Sequence, residues 1–176
     1  MNCGADCWPM WRKEVESMKG KQEILNGLEQ IRADTLRRLD QLTQAQLDWL
    51  PPDGEWSLGE IFMHLASDEH YLREQIARPL LEGVRPPDGV TYLPPPPARG
   101  AKKEVIQFWF ERARTMTRRL FEEWPADANL ELKHDGGLGS MNGPEWLEGY
   151  GGHEAFHHRQ IEQVMAQLAE VEVMEG

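Results

Sequence analysis

Cysteine, basic charge and long apolar runs are all scarce in this chain, and each scarcity narrows what it can do. Cys3 and Cys7 are the only cysteines. In a cytoplasmic protein they stay as thiols, and free thiols on an N-terminal extension are preferred here over a Cys-x-x-x-Cys redox or metal pair. No apolar run approaches the length of a membrane span, so a soluble protein is expected. The first residues, Met-Asn-Cys-Gly-Ala-Asp-Cys-Trp, have no basic stretch leading into an apolar one, so no signal peptide is expected and a cytoplasmic location is. Lys and Arg number 19 against 30 Asp and Glu, and the resulting net charge of -11 argues against nucleic acid and anionic membranes, both of which need basic partners. Val and Ile are sparse and nowhere alternate with polar residues, so no strand is expected.

What the chain does have is helical periodicity. Its 176 residues suffice for one domain with a substantial core. Residues 1–20 read as an extension in which Trp8, Met10 and Trp11 can pack on the core or on another subunit, and 21–176 as the domain. Ile24, Leu25, Leu28, Ile31, Leu36, Leu39 and Leu42 mark a first helix, with Arg32, Asp34, Arg37, Arg38 and Asp40 mostly off the stripe. Thr43-Gln-Ala-Gln46 is a capping box for a short extra turn, ended by Pro51-Pro-Asp-Gly54. Ser57-Leu-Gly-Glu60 is a second capping box, opening a helix whose inward stripe is Ile61, Leu65, Leu72 and Ile76. Residues 78–101, with Pro86-Pro-Asp-Gly89 and Pro94-Pro-Pro-Pro97, read as a long stiff connection able to cross the end of a bundle. A third helix over Lys102–Trp124 carries Val105, Ile106, Trp109, Phe110, Ala113, Met116, Leu120, Phe121 and Trp124, with its aromatics assigned to the core. Asn142 or Gly143 can cap a fourth helix with Pro144 in its first turn.

That last helix holds the informative anomaly. Trp146, Tyr150, His153, His157, Ile161, Val164 and Leu168 follow one seam in steps of four and three, and two histidines fill positions where Leu or Ile would be usual. An offset of four on a helix is about 40° of rotation and about 6 Å of rise, so both imidazoles share a face. His64 lies on or beside the stripe of the second helix. A lone histidine on an apolar stripe is most simply a hydrogen-bonded core residue. Two on one seam with a third on a facing helix favour a metal site at His64, His153 and His157. Asp68, one turn after His64, reads as a solvated rim charge in preference to a carboxylate that orients an imidazole. His70 and His158 are rotated away and assigned to the surface, while His134 in a Gly-rich loop is the weaker candidate for the site mouth. His153-Glu-Ala-Phe-His157 also matches the H-E-x-x-H zinc protease signature, with Glu154 as general base. No sheet is expected upstream and few residues follow, so the protease reading is not preferred.

Trp56-Ser-x-x-Glu60-x-x-x-His64-Leu65 together with His153-x-x-x-His157-x-x-Gln160 resembles the DinB-like superfamily, over roughly Gln22 to Leu168. The resemblance implies an all-α, four-helix bundle of up-down-down-up topology with the long Pro-rich connection between helices two and three. It implies a divalent metal, zinc or nickel, held by His64, His153 and His157, and a homodimer. It further implies a small-molecule substrate, with a low-molecular-weight thiol such as bacillithiol, mycothiol or glutathione as co-substrate of an S-transferase or isomerase. Where many relatives have His-Pro before a Gly, this chain has His134-Asp135-Gly136, so the loop ahead of the last helix differs in shape. A three-imidazole site leaves the ion its full double charge and lowers the pKa of a bound thiol or water. Metal-assisted thiol transfer is therefore the leading expectation, metal-dependent hydrolysis the next, and a non-catalytic metal-binding or interaction bundle the rival from another class. Glu154, Tyr150, Asp68 and Gln160 are candidates for supporting contacts only.

Overall fold

The structure is a computed structural model that describes residues 20–52, 54–87, 99–136 and 139–175, with side chains to 171. Cys3, Cys7, Trp8, Met10, Trp11 and the run Pro94–Pro97 lie outside the described residues. The chain is mostly helical: α1 (Lys21–Asp40), α2 (Gln44–Asp48), α3 (Leu58–Leu72), a π-helical turn (Arg73–Ala77), α4 (Arg78–Leu81), α5 (Lys103–Glu123) and α6 (Gly143–Glu175), with two short strands before α6. Among the described residues no helix is long and apolar enough to cross a membrane.

Both predicted capping boxes form. Thr43 and Gln46 satisfy each other's backbone N–H groups at the start of α2. At α3, Ser57 Oγ accepts from Glu60 N–H at 3.2 Å and Glu60 Oε2 accepts from Ser57 N–H at 2.9 Å. Because α3 carries one of the candidate ligands, its start matters. Ser57→Ala is expected to cost about 1 kcal/mol, seen in chemical denaturation as a lower midpoint with an unchanged slope.

The helix does not stop at residue 78. It runs past Pro79 to Leu81 and buries Leu80 and Leu81 completely or nearly so, which corrects the expectation of an irregular connection from 78 onward. Proline lacks an N–H and its ring crowds the carbonyl one turn back. The π-helical turn directly before it, closed by Arg78 N–H on Arg73 O, supplies the slack that lets the helix continue.

Two other expectations are corrected. On α5, Ile106, Phe110, Ala113, Leu120 and Phe121 are buried, but Val105 and Trp109 are exposed. The predicted set was too wide for one face, since adjacent residues differ by about 100° around a helix. A small antiparallel hairpin also exists, β1 (His134–Gly136) with β2 (Gly139–Met141), in register His134↔Met141. Three-residue strands are too short to show alternation. The hairpin is pressed onto Trp146 so closely that a Cβ on Gly136 would lie 2.7 Å from the indole.

α3 packs against α5 and α6, and α1 against α6 and α5. Two apolar clusters result. One gathers Ile24, Leu28, Leu72, Ile76, Leu80, Phe121, Trp146 and Tyr150; the other Leu39, Leu58, Phe62, Leu65, Phe110, Ile161 and Val164. Between these two levels every long helix contributes buried polar residues: Arg32 and Thr35 from α1, Asp68 and Glu69 from α3, Arg114 and Thr117 from α5, and His153, Glu154 and His157 from α6. The core is thus apolar at both ends with a polar layer across its middle. Arg32, expected off the stripe, is 3% exposed and belongs to that layer.

Candidate metal centre

Asn142 caps α6, with its Oδ1 accepting from Glu145 N–H at 3.0 Å and Glu145 Oε2 accepting from Asn142 N–H at 2.8 Å. This fixes the register that brings His153 and His157 to face α3. There they meet His64. One ring nitrogen from each of the three lies within 4.8 Å of the others, a grouping able to hold a metal ion. His64 Nε2 and His153 Nε2 are 3.1 Å apart, and the His157 ring lies 4.8 Å from that of His64 and 4.4 Å from that of His153. Trp56 packs edge-on against His64, with centroids 4.8 Å apart.

The electrostatics suit a ligand set. Burial pushes His64 down to about 3, with the neighbouring His153 and His157 adding to the effect and Asp68 opposing it. His153 and His157 are also lowered to about 3, again chiefly by burial. All three are therefore neutral near pH 7, the form in which imidazole binds metals. His157 Nδ1 contacts Gln160 Oε1 at 2.7 Å, which leaves Nε2 as the nitrogen facing the cluster. That buried Nε2 has no hydrogen-bond partner. Such a group costs free energy unless something else satisfies it, and a cation would. The residues present thus fit a divalent ion: neutral nitrogen donors, one of them buried and unsatisfied, from two facing helices.

Asp68 is not a rim charge. It is fully buried, with Oδ2 3.0 Å from His64 Nε2 and 2.9 Å from His153 Nε2. The sequence puts Asp68 on the same side of α3 as His64, and the packing of α6 brings His153 against it. The remaining histidines stay outside the cluster. His70 is exposed and contacts Arg73. His158 is half-buried, its Nε2 2.8 Å from Thr35 Oγ1. His134 is buried in the hairpin beside Trp146, with ring centroids 6.3 Å apart.

Glu154 turns toward α1. Its Oε1 accepts from Arg32 Nε at 2.7 Å and Oε2 from Arg32 Nη2 at 3.0 Å, a two-pronged pair. Thr35 Oγ1 is 2.5 Å from Oε1 and Arg114 Nη2 is 3.6 Å from Oε2. Burial alone would raise the Glu154 pKa; Arg32 and Arg114 more than offset it and hold the carboxyl below its ordinary value. Glu69 bridges the same two arginines, at 2.9 Å from Arg32 Nη2 and 2.8 Å from Arg114 Nε, and is held at about 2 although burial opposes this. A carboxylate clamped this way between two arginines is not available as the base of an H-E-x-x-H protease. Tyr150 joins the layer, its hydroxyl donating to Leu65 O at 3.0 Å and accepting from Arg32 Nη2 at 2.8 Å. Arg32, Glu69 and Arg114 went unrecognised in the sequence, although Arg32 sits four residues after Leu28 and seven before Leu39, on the buried stripe itself.

Comparison with curated proteins finds no match for the chain. A family comparison does: residues 27–161, which include every member of the histidine cluster and of the charged layer beside it, match the DinB superfamily. With that match covering most of its length, the chain belongs to the DinB superfamily.

Proposed function

We propose that this protein holds a divalent metal ion, zinc or nickel, through His64, His153 and His157, and uses it for transfer of a low-molecular-weight thiol to an electrophilic small molecule. The observation that carries the reading is the convergence of three neutral, buried imidazoles whose ligand atoms lie within 4.8 Å of one another. When bound, the ion would lower the pKa of a thiol or water that reaches it and so supply a nucleophile at neutral pH. The chain's own part is to hold the donors. Gln160 fixes the ring of His157, and the charged layer of Arg32, Glu69, Arg114 and Glu154 holds α1, α3, α5 and α6 at the spacing the site needs. Up-down-down-up topology for the bundle is part of the same proposal. It is supported by the order of paired residues: Arg32 with Glu154 and Arg38 with Glu162 along α1 and α6, against Glu29 with Arg118 and Asp40 with Gln107 along α1 and α5.

One observation favours the non-catalytic alternative. His64 and His157 are 0% and His153 3% exposed, so substrate reaches the site only if the surrounding side chains move. Two measurements separate the readings. Protein purified without a His-tag is expected to retain a divalent ion on elemental analysis, and to consume bacillithiol, mycothiol or glutathione with an electrophile panel in a metal-dependent way. His153→Ala is expected to lose both properties. Metal retention with no turnover across thiols and electrophiles would establish the non-catalytic reading, and failure of the wild type to retain any divalent ion would overturn both.

A further inference from the structure

We infer that Asp68 is a fourth protein donor to the ion, so that the site is a three-histidine, one-carboxylate set. This rests on the three-histidine reading above and adds a ligand to it. Asp68 Oδ2, His64 Nε2 and His153 Nε2 form a nearly equilateral triangle, with sides of 3.0, 2.9 and 3.1 Å. Donors around a tetrahedral ion with bonds near 2.0–2.1 Å lie about 3.3 Å apart, so the three atoms already stand close to the edges of one coordination polyhedron. A carboxylate that merely orients a ligand imidazole sits on the ring nitrogen facing away from the ion. Gln160 does this for His157, through Nδ1. Asp68 does not. It meets both neighbouring rings at Nε2, on the side where they converge. The sequence repeats the geometry, since His64 and Asp68 are one turn apart on α3 as His153 and His157 are on α6. Each helix thereby presents two donors to the other.

A carboxylate ligand changes the chemistry of the centre. It reduces the net charge of the site from two to one, which weakens activation of a bound thiol relative to three imidazoles alone. It also fills the fourth tetrahedral position, so an incoming substrate must either expand the coordination number or displace Asp68.

The test uses untagged full-length protein, stripped and reloaded with Co(II), which reports its ligands through its visible absorption bands. Asp68→Ala is expected to shift those bands, to lower Co(II) affinity more than the roughly 10–100-fold lost with an orienting partner, and to open a position that added azide fills. Wild-type protein at the same azide concentration should show no such change. Asp68→Asn, which keeps the side-chain shape, is the second variant should Asp68→Ala fail to fold, and is expected to shift the bands in the same sense. Bands and azide response identical to wild type in either folded variant would overturn the assignment while leaving the three-histidine site intact. If wild-type protein bound no Co(II), the underlying reading and this inference would fall together.

Discussion

Arg32→Met is expected to be the most destabilising single change in the polar layer, at about 3–5 kcal/mol, because it strands buried carboxylates without their cation. Arg32 makes two hydrogen bonds to Glu154, one to Glu69 and one to the Tyr150 hydroxyl, and its guanidinium stacks 4.3 Å over the Phe110 ring. Two arginines and two glutamates share the layer and neutralise each other, and removing Arg32 leaves Arg114 alone opposite Glu69 and Glu154. Urea denaturation should record the loss as a lower midpoint, and for a domain of this size the melting temperature should fall by roughly 2–4 °C per kcal/mol. Arg32→Lys restores the charge but not the two-pronged geometry, so it should recover only part of the loss. The double variant Arg32→Met with Glu154→Leu is the sharper control. It removes one cation and one anion and leaves Arg114 paired with Glu69, so it should be more stable than Arg32→Met alone. If Arg32→Met costs less than about 1 kcal/mol, the value usual for exposed pairs, the layer does not bear on stability as described. If the double variant is the less stable of the two, charge imbalance is not the cause.

The same layer shows which parts of the molecule could be read in advance. Capping boxes at Thr43 and Ser57 are local patterns whose partners lie three residues apart, and both form as the sequence predicts. The His153 and His157 pair was legible because a polar residue on an apolar seam contradicts its surroundings, and that contradiction needs no tertiary information. Arg32 and Thr35 violate the stripe Ile24, Leu28, Leu39 of α1 in just the same way. The sequence masks this because neighbouring Leu25, Ile31 and Leu36 supply a rival stripe about 100° away, and those residues prove only partly buried. Glu69 and Arg114 could not be paired from the sequence at all, since their contact depends on how α3 and α5 are set side by side. Asp68 combines both cases. Its face of α3 was legible, but its contact with His153 depends on how α3 and α6 are set side by side. The continuation through Pro79 was hidden for another reason: a π-helical turn has no residue signature of its own, and proline is ordinarily a stop.

His157→Leu is expected to separate a ligand from a core residue by reversing the order of stabilities with and without metal. The buried His157 Nε2 has no hydrogen-bond partner among the protein's own groups, and without a metal ion that costs about 1–3 kcal/mol that leucine does not incur. The seam position is flanked by His153 and Ile161, both buried, and accepts an apolar side chain of similar size. Gln160, which the ring leaves behind, is half-buried and can turn to solvent. The variant should therefore be the more stable protein without metal, by an amount in that range, in urea denaturation with a chelator present. Metal then favours the wild type: a ligand at one hundred times its dissociation constant adds about 2.7 kcal/mol to the folded state, and the variant, short of one nitrogen donor, gains little of it. Saturating zinc or nickel should bring the two midpoints together or invert their order. A histidine kept for structural reasons behaves oppositely, and its replacement by leucine would cost stability under both conditions. If His157→Leu is destabilised in the absence of metal and binds zinc as tightly as wild type, His157 is part of the packing and not of a metal site. The inversion would show that an unsatisfied nitrogen is retained in the core at the expense of stability, which is the behaviour of a group kept for binding.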